Sequence, residues 1–178
     1  MMGPYNRPMP ASSLSFALPD SHATDALGMA LARTFPGAAI GATVHLRGEL
    51  GSGKTTCARS MLHALGITAT VRSPTYTLVD TYSVSDLTCV HVDLYRLQSP
   101  AEVEELGLRD LIGPGYLMVI EWPEKGGRAV PPPDLILRLQ YAGEARTAAI
   151  DAGSDAGRSW VSKLAIDTSL AAYVSNMT

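Results

Sequence analysis

The segment from Gly48 to Thr55 constrains the chain more than any other, because it matches the phosphate-binding pattern G-x-x-x-x-G-K-[ST] in full. In this pattern the glycines let successive backbone N–H groups point at a phosphate without a side chain in the way. Lys54 would reach the β- and γ-phosphate oxygens, and the Thr55 hydroxyl would ligate Mg²⁺. We therefore predict that the chain binds a nucleoside triphosphate. The predicted nucleotide-binding residues of the loop are Glu49, Leu50, Gly51, Ser52, Gly53, Lys54, Thr55 and Thr56.

The residues around the loop have the strand–loop–helix order that such a loop requires. Residues 42–47 alternate as a half-buried strand does and run directly into the loop. Residues 56–65 follow with an apolar helical face, and Gly66 provides the stop. This order favours a phosphate-binding loop over an ordinary glycine-rich turn.

Composition and charge limit the functions that the chain can have. Its 178 residues suit one domain with a proper core, and its formal net charge is -3. Lys and Arg are dispersed without a basic stripe, so we expect no strong binding to nucleic acid by the chain alone. Cys57 and Cys89 fit neither a disulfide framework nor a metal cluster, which indicates buried thiols in a reducing compartment.

The ends of the chain are predicted to differ from its middle. Residues 1–13 are expected to form a disordered tail, because no apolar segment typical of a signal peptide follows the first methionine. No apolar run approaches the ~18 residues that span a bilayer, so we expect a cytoplasmic protein with no membrane contact. Residues 14–153 are predicted to be one P-loop domain. Residues 154–178 are predicted to be an extension, with a terminal helix over 157–175.

The remaining pattern predicts helices and strands in alternation, then strands in succession. A short strand at 16–18 precedes a helix from Asp20 or Ser21 to about Phe35. Extended segments at 69–72 and 77–84, strands at 87–93 and 116–120, a short helix after Ser99, and an antiparallel pair at 135–140 and 146–150 follow. This order predicts an α/β fold, a P-loop NTPase-like three-layer sandwich with a mixed, partly antiparallel sheet.

Two of the predicted strands end in a carboxylate, which is where a P-loop enzyme holds its metal or the waters of that metal. Asp93 follows one apolar strand and Glu121 follows the next. We predict that one carboxylate supports Mg²⁺ while the other orients the attacking water, so that Lys54, Asp93 and Glu121 are the catalytic candidates. The alternatives are a capping aspartate and a surface glutamate.

The hydroxyl-rich segment Ser73-Pro74-Thr75-Tyr76-Thr77-Leu78 lies between the loop helix and Asp93. A segment of this kind can sense a γ-phosphate, as the switch segments of nucleotide hydrolases do. It can equally be a turn that leads into a strand, and the sequence alone does not decide between the two.

Four segments together resemble the signature blocks of the TsaE (YjeE) family, and they occur in the order and at the spacing of that family. They are the P-loop with Thr56, the segment Ser73-Pro74-Thr75-Tyr76-Thr77-Leu78-Val79, the segment His91-Val92-Asp93-Leu94-Tyr95-Arg96-Leu97, and the segment Ile120-Glu121-Trp122-Pro123-Glu124-Lys125. The resemblance covers about residues 14–153. The chain departs from the family pattern at Glu49, where the family often has Asp.

The resemblance implies a slow ATPase of tRNA threonylcarbamoyladenosine biosynthesis. Such a protein works with TsaB-like and TsaD-like partners, meets tRNA only indirectly, and supports modification of adenosine 37 in tRNAs whose codons begin with A. ATP and Mg²⁺ would bind at the P-loop, with Thr55, Asp93 and Glu121 at the metal. The resemblance also implies Trp122 beside the acidic site and Thr24 near the nucleotide base. Their alternatives are a core aromatic residue and a solvent-facing helix threonine.

Two other functions are common among P-loop proteins of this size, a small-molecule kinase and a GTPase switch. A small-molecule kinase usually carries an arginine-bearing lid, whereas Arg59, Arg72, Arg96 and Arg109 are scattered here. A GTPase would carry an Asn/Thr-Lys-x-Asp segment for guanine, which this sequence lacks. The ATPase interpretation predicts phosphate release without an acceptor substrate, and a kinase would need one.

Overall fold

The computed structural model describes residues 13–175, which form one mixed sheet with helices packed on its faces. The strands are β1 (Ser13–Leu18), β2 (Ala42–Arg47), β3 (Val79–Val84), β4 (Leu87–Asp93), β5 (Tyr116–Glu121), β6 (Leu135–Ala142) and β7 (Ala145–Ala152). The α-helices are α1 (Ser21–Thr34), α2 (Lys54–Ala64), α3 (Pro100–Glu105) and α4 (Asp155–Leu164). The predicted disordered tail lies outside the described residues, except for Ser13, which begins β1.

The sheet has the strand order β1-β7-β6-β2-β5-β4-β3. The four central strands β6, β2, β5 and β4 are parallel, while β1, β7 and β3 pair antiparallel with their neighbours. The predicted α/β fold with a mixed, partly antiparallel sheet is therefore confirmed. The parallel arrangement brings the carboxyl ends of β2, β5 and β4 to one edge, where ligands bind in open α/β sheets.

Alternate residues of the central strands divide between two hydrophobic clusters on opposite faces of the sheet. On β5, Leu117 and Val119 join the larger cluster under α1, α2 and α4, whereas Met118 and Ile120 join the smaller one beside α3. β2 was predicted to be half-buried, but it lies at the centre of the sheet and is buried on both faces. Its polar residues Thr43 and His45 are each only 5% exposed.

The local predictions are confirmed where a specific residue caps the start of a helix. Asp20 caps α1 by accepting a hydrogen bond from the Ala23 N–H at 2.9 Å, and Ser99 begins α3 with a complete capping box. The loop helix begins at Lys54, two residues earlier than predicted. The extended segment expected at 69–72 forms no strand, since its backbone pairs with no neighbour in the sheet.

The residues after β7 pack into the core, and their helix is shorter than predicted. α4 ends at Leu164, and a single 3₁₀ turn at Thr168–Leu170 follows, in place of one helix over 157–175. Trp160 is fully buried, and its indole N–H donates to the Thr34 hydroxyl at 3.0 Å. Thr34 follows Leu27, Ala30 and Leu31 on the buried face of α1, and its hydroxyl there provides an acceptor that a buried indole N–H needs.

The predicted burial of the two cysteine thiols is confirmed. Cys57 and Cys89 are both free and buried, and burial raises the pKa of their thiols to about 12 and about 11 respectively. Among residues 13–175, every helix is too short or too polar to cross a bilayer.

Candidate nucleotide-binding site

The loop between β2 and α2 turns sharply at glycines that its sequence supplies. Gly48 has φ +143°, and a side chain there would bring its Cβ to 2.2 Å from the Leu139 carbonyl oxygen. Gly53 caps α2 with φ +106°, a conformation that L side chains rarely adopt. The loop therefore passes close to β6 and presents the N-terminal end of α2 to the cleft, which favours an anion there.

The Lys54 side chain lies inside this loop and is 4% exposed. Its ammonium donates to the carbonyl oxygens of Gly48 at 2.7 Å and Glu49 at 2.8 Å, and it lies 4.0 Å from the centre of the Trp122 ring. Burial lowers the Lys54 pKa, and the carboxylates of Glu121, Asp93 and Glu124 oppose that shift. The ammonium is thus held at the cleft by contacts that it can exchange for phosphate oxygens.

Asp93 and Glu121 lie side by side because β4 and β5 are parallel and these residues are register partners. Both side chains project toward the face that α2 covers, as Leu117 and Val119 do on β5. They are 3% and 2% exposed, so Glu121 is not the surface glutamate that was the alternative for it. Two buried carboxylates near one ammonium leave a site that favours a cation.

Thr55 connects the loop to the acidic pair. Its hydroxyl donates to both oxygens of Glu121, at 2.9 Å and 3.0 Å. This bond uses the hydroxyl proton and leaves the lone pairs of the Thr55 oxygen available to a metal ion. The hydroxyl and the two carboxylates are hard oxygen donors of the kind that Mg²⁺ takes, so the residues present fit that ion.

Within the described chain, no three His, Cys, Asp or Glu side chains are grouped to hold a metal ion by themselves. That agrees with the usual Mg²⁺ site of nucleotide enzymes, in which one or two carboxylates act together with waters and the phosphates of the substrate. The bound nucleotide would complete such a site here.

The segment 73–78 contacts the acidic pair directly through Asp93. Ser73 and Thr75 both donate their hydroxyl protons to Asp93 Oδ2, Thr75 from 2.8 Å. The other oxygen of Asp93 accepts from the Tyr95 N–H at 2.9 Å, so the aspartate also caps a turn. Leu78 then leads into β3. The segment is therefore a turn before a strand, as one interpretation predicted, and it also contacts a carboxylate of the site.

Trp122 forms the wall of the cleft beside Lys54. Its backbone has φ +59°, which non-glycine residues rarely adopt, and its ring lies 5.0 Å from the Tyr95 ring. The cleft has a volume of about 270 Å³. Its lining contains most of the predicted site residues, namely Leu50, Gly51, Gly53, Lys54, Thr55, Thr56, Asp93 and Glu121, together with Ser73, Thr75, Tyr95 and Trp122.

Three predicted site residues do not line this cleft. The Glu49 side chain borders a neighbouring depression, and Ser52 is fully buried within the loop. Thr24 is 1% exposed, so it is not a solvent-facing threonine, and its hydroxyl donates to the Asp20 carbonyl at 3.4 Å. A Cβ added to Gly53 would meet the Thr24 methyl group at 3.3 Å, which places Thr24 directly behind the loop.

Sequence reasoning missed three residues that contact the site. His91 lies 2.9 Å from Glu121. It begins one of the four family blocks and stands two positions before Asp93 in an apolar strand, but neither signal predicts its contact with Glu121. Tyr141 donates to the Leu50 carbonyl at 3.0 Å, and Arg146 donates to the Gly51 carbonyl at 3.3 Å. Both come from the β6–β7 hairpin, which no local pattern connects to the loop.

The fold and the loop define a P-loop-type α/β protein. Comparisons narrow this class, because the family model "Threonylcarbamoyl adenosine biosynthesis protein TsaE" matches residues 18–149. The chain belongs to the TsaE family, as the four sequence blocks predicted.

Individual relatives agree with the family match. A protein of Haemophilus influenzae named tRNA threonylcarbamoyladenosine biosynthesis protein TsaE is 40% identical over 67% of this chain and 75% of its own length. A Synechocystis protein of the same name is 38% identical over 66% of this chain and 74% of its own length. The crystal structure of YdiB from Bacillus subtilis superposes with a TM-score of 0.69 at 24% identity, covering 86% of this chain and 94% of that one, which supports the fold.

Proposed function

We propose that this protein binds ATP with Mg²⁺, hydrolyses the ATP slowly, and thereby supports threonylcarbamoylation of tRNA. Family membership supports a role in tRNA threonylcarbamoylation, since the family model and the relatives are named for threonylcarbamoyladenosine biosynthesis. The observation that supports the chemistry is the convergence of Lys54, Thr55, Asp93 and Glu121 on one cleft at the end of the parallel strands.

In this proposal the loop binds the phosphates and Lys54 exchanges its carbonyl partners for phosphate oxygens. Thr55, Asp93 and Glu121 would hold Mg²⁺ or its waters, and the ion would supply positive charge against the phosphoryl group that is transferred to water. One of the two carboxylates orients the attacking water. Trp122 and Tyr95 would form the wall of this site, with the Trp122 ring 4.0 Å from the Lys54 ammonium.

Ser73 and Thr75 contact Asp93, so the segment 73–78 is the part of the chain best placed to respond to the bound state. Tyr76, at the tip of this segment, is 88% exposed and is therefore accessible to another protein. We propose that the protein acts in the cytoplasm on a TsaB–TsaD-type complex and contacts tRNA only through that complex. The product would be threonylcarbamoyladenosine at position 37 of tRNAs that decode codons beginning with A.

The test is a reconstituted reaction in which ATP turnover and tRNA modification are measured in parallel. We expect slow phosphate release by the protein alone, faster release with TsaB-like and TsaD-like proteins, and repeated tRNA modification only when this protein and hydrolysable ATP are both present. Equal modification without the protein would refute the pathway role. ADP formation that requires a small-molecule acceptor, with the phosphoryl group recovered on that acceptor, would instead indicate a kinase.

A further inference from the structure

His91 is a buried polar residue that the proposed chemistry does not use. It lies within β4, two residues before Asp93, and it is 0% exposed. The neighbouring positions of the strand are apolar and fully buried, as Val90 and Val92 show. His91 is also absent from the lining of the cleft, so it cannot contact a nucleotide there directly.

Among the residues that the structure describes, His91 makes its one polar contact with Glu121. Its Nε2 lies 2.9 Å from Oε1 of Glu121, while within residues 13–175 its Nδ1 has no hydrogen-bond partner. An ionised carboxylate only accepts hydrogen bonds, so the partner assigns the ring hydrogen to Nε2. A buried imidazole with one nitrogen unpaired carries a desolvation cost, and an apolar residue at this position would avoid that cost.

The contact gives the Glu121 carboxylate a second donor, on a different element from Thr55. Oε1 accepts from His91 on β4 and from Thr55 on α2, and Oε2 accepts from Thr55. The terminal torsion of a glutamate is otherwise broad, so two donors on different elements restrict a motion that the backbone leaves free. The same carboxylate in turn holds the hydroxyl of Thr55, the predicted Mg²⁺ ligand.

We propose that His91 is a positioning residue for the Mg²⁺ site, acting through Glu121 on the orientation of both Glu121 and Thr55. This inference rests on the proposed function, because it concerns the metal site that ATP would complete. Hydrogen bonds to metal-ligating groups from residues outside the ligand set typically change metal affinity or activity by about 10- to 100-fold. A residue that only fills space in β4 would have no such effect.

The experiment compares two variants of similar volume in the full-length protein. His91→Leu keeps the bulk and removes the donor, whereas His91→Gln keeps an N–H near the position of Nε2. Binding of Mn²⁺, in place of Mg²⁺, is measured by electron paramagnetic resonance with a non-hydrolysable ATP analogue at saturation. Affinity for the analogue in EDTA and the thermal midpoint are measured beside it. His91→Asn, whose amide is too short to reach Glu121, replaces the leucine variant if that one does not fold.

We expect the donor-free variant to lose about 10-fold or more in Mn²⁺ affinity, the glutamine variant to stay within about 3-fold of wild type, and analogue affinity in EDTA to be unchanged in both. Wild-type Mn²⁺ affinity in the donor-free variant would overturn the role of His91. So would an equal loss in the glutamine variant, because the effect would then follow the ring and not the donor. If the wild-type protein with analogue binds no Mn²⁺, the proposed function fails before His91 is tested.

Discussion

Asp93 and Glu121 are register partners at the ends of adjacent parallel strands, yet their carboxylates contact different parts of the chain. Glu121 accepts from Thr55 and His91, while Asp93 accepts from Ser73, Thr75 and the backbone of Tyr95. Glu121 is therefore connected to the phosphate loop, and Asp93 is connected to the segment 73–78. From this difference we expect Glu121 to support Mg²⁺. We expect Asp93 to orient the attacking water or to connect the bound nucleotide with the segment 73–78.

The two carboxylates give the first prediction. Glu121→Gln and Asp93→Asn should each lower ATP turnover by roughly 100-fold or more, because each replaces a charge at the reacting end with a neutral amide. Glu121→Gln should also weaken Mg²⁺ binding more than Asp93→Asn does. Steady-state phosphate release and Mg²⁺ titrations measure both effects, with the exposed Glu104→Gln as the matched control. Turnover within a few-fold of wild type would assign the altered residue a structural role.

Much of this arrangement could be predicted from the sequence, because it depends on local rules. The glycine and lysine spacing predicted the loop, and a carboxylate after each apolar strand predicted Asp93 and Glu121. Parity along the strands was also informative, since His91 and Asp93 differ by two positions and so share a face.

The remainder depends on contacts between distant segments. Tyr141 and Arg146 reach the loop only because β6 lies next to β2 in the sheet, and nothing near them in sequence indicates that pairing. Burial of Thr24 follows from the packing of α1 behind Gly53. The end of α4 at Leu164 could not be predicted either. Residues 173–175 form backbone hydrogen bonds with Ala17 and Ser15 of β1, a contact between distant segments that excludes one continuous helix.

A second prediction concerns Lys54. Lys54→Ala should abolish measurable ATP turnover and weaken ATP binding, because the ammonium is the point charge placed against the terminal phosphates. Calorimetric titration with ATP and Mg²⁺ provides the affinity, and phosphate release provides the rate. Lys163→Ala, an exposed position on α4, is the control for the loss of one lysine. Unchanged affinity and rate in Lys54→Ala would remove the loop from the mechanism.

A third prediction concerns the hairpin that supports the loop. Tyr141→Phe removes only the hydroxyl that donates to the Leu50 carbonyl. Because the peptide unit is planar and trans, holding that carbonyl toward the hairpin keeps the Gly51 N–H on the opposite side of the peptide. Gly51 itself lines the cleft. Loss of one such hydrogen bond, worth about 1 kcal/mol, should weaken nucleotide affinity by roughly 2- to 10-fold.

Nucleotide titration of Tyr141→Phe measures that effect. Tyr116→Phe, at the start of β5 and far from the carboxyl ends of the strands, is the matched control. The thermal midpoint should change little in either variant, because Tyr141 is 47% exposed. Equal affinities in the two variants would show that the loop keeps its shape without the Tyr141 hydrogen bond.

The last prediction concerns stability below neutral pH and the buried ring of His45. Burial lowers the His45 pKa from 6.5 to about 4, against the opposing effect of the Pro131 carbonyl, which lies 2.9 Å from Nε2. Between these two values the unfolded chain binds a proton that the folded chain does not. The free energy of unfolding should therefore fall as pH is lowered from about 6.5 to 4, by an amount on the order of 3 kcal/mol.

His45→Gln separates this residue from the other titrating groups, because its amide can still donate to the Pro131 carbonyl but cannot bind a proton in this range. Urea unfolding at intervals from pH 7 to pH 4 gives the free energy of unfolding of both proteins. The wild-type protein should lose more stability than His45→Gln over this interval, and the difference should develop below pH 6.5. Parallel curves for the two proteins would mean that His45 does not cause the loss of stability, because the folded protein would then bind its proton as readily as the unfolded chain.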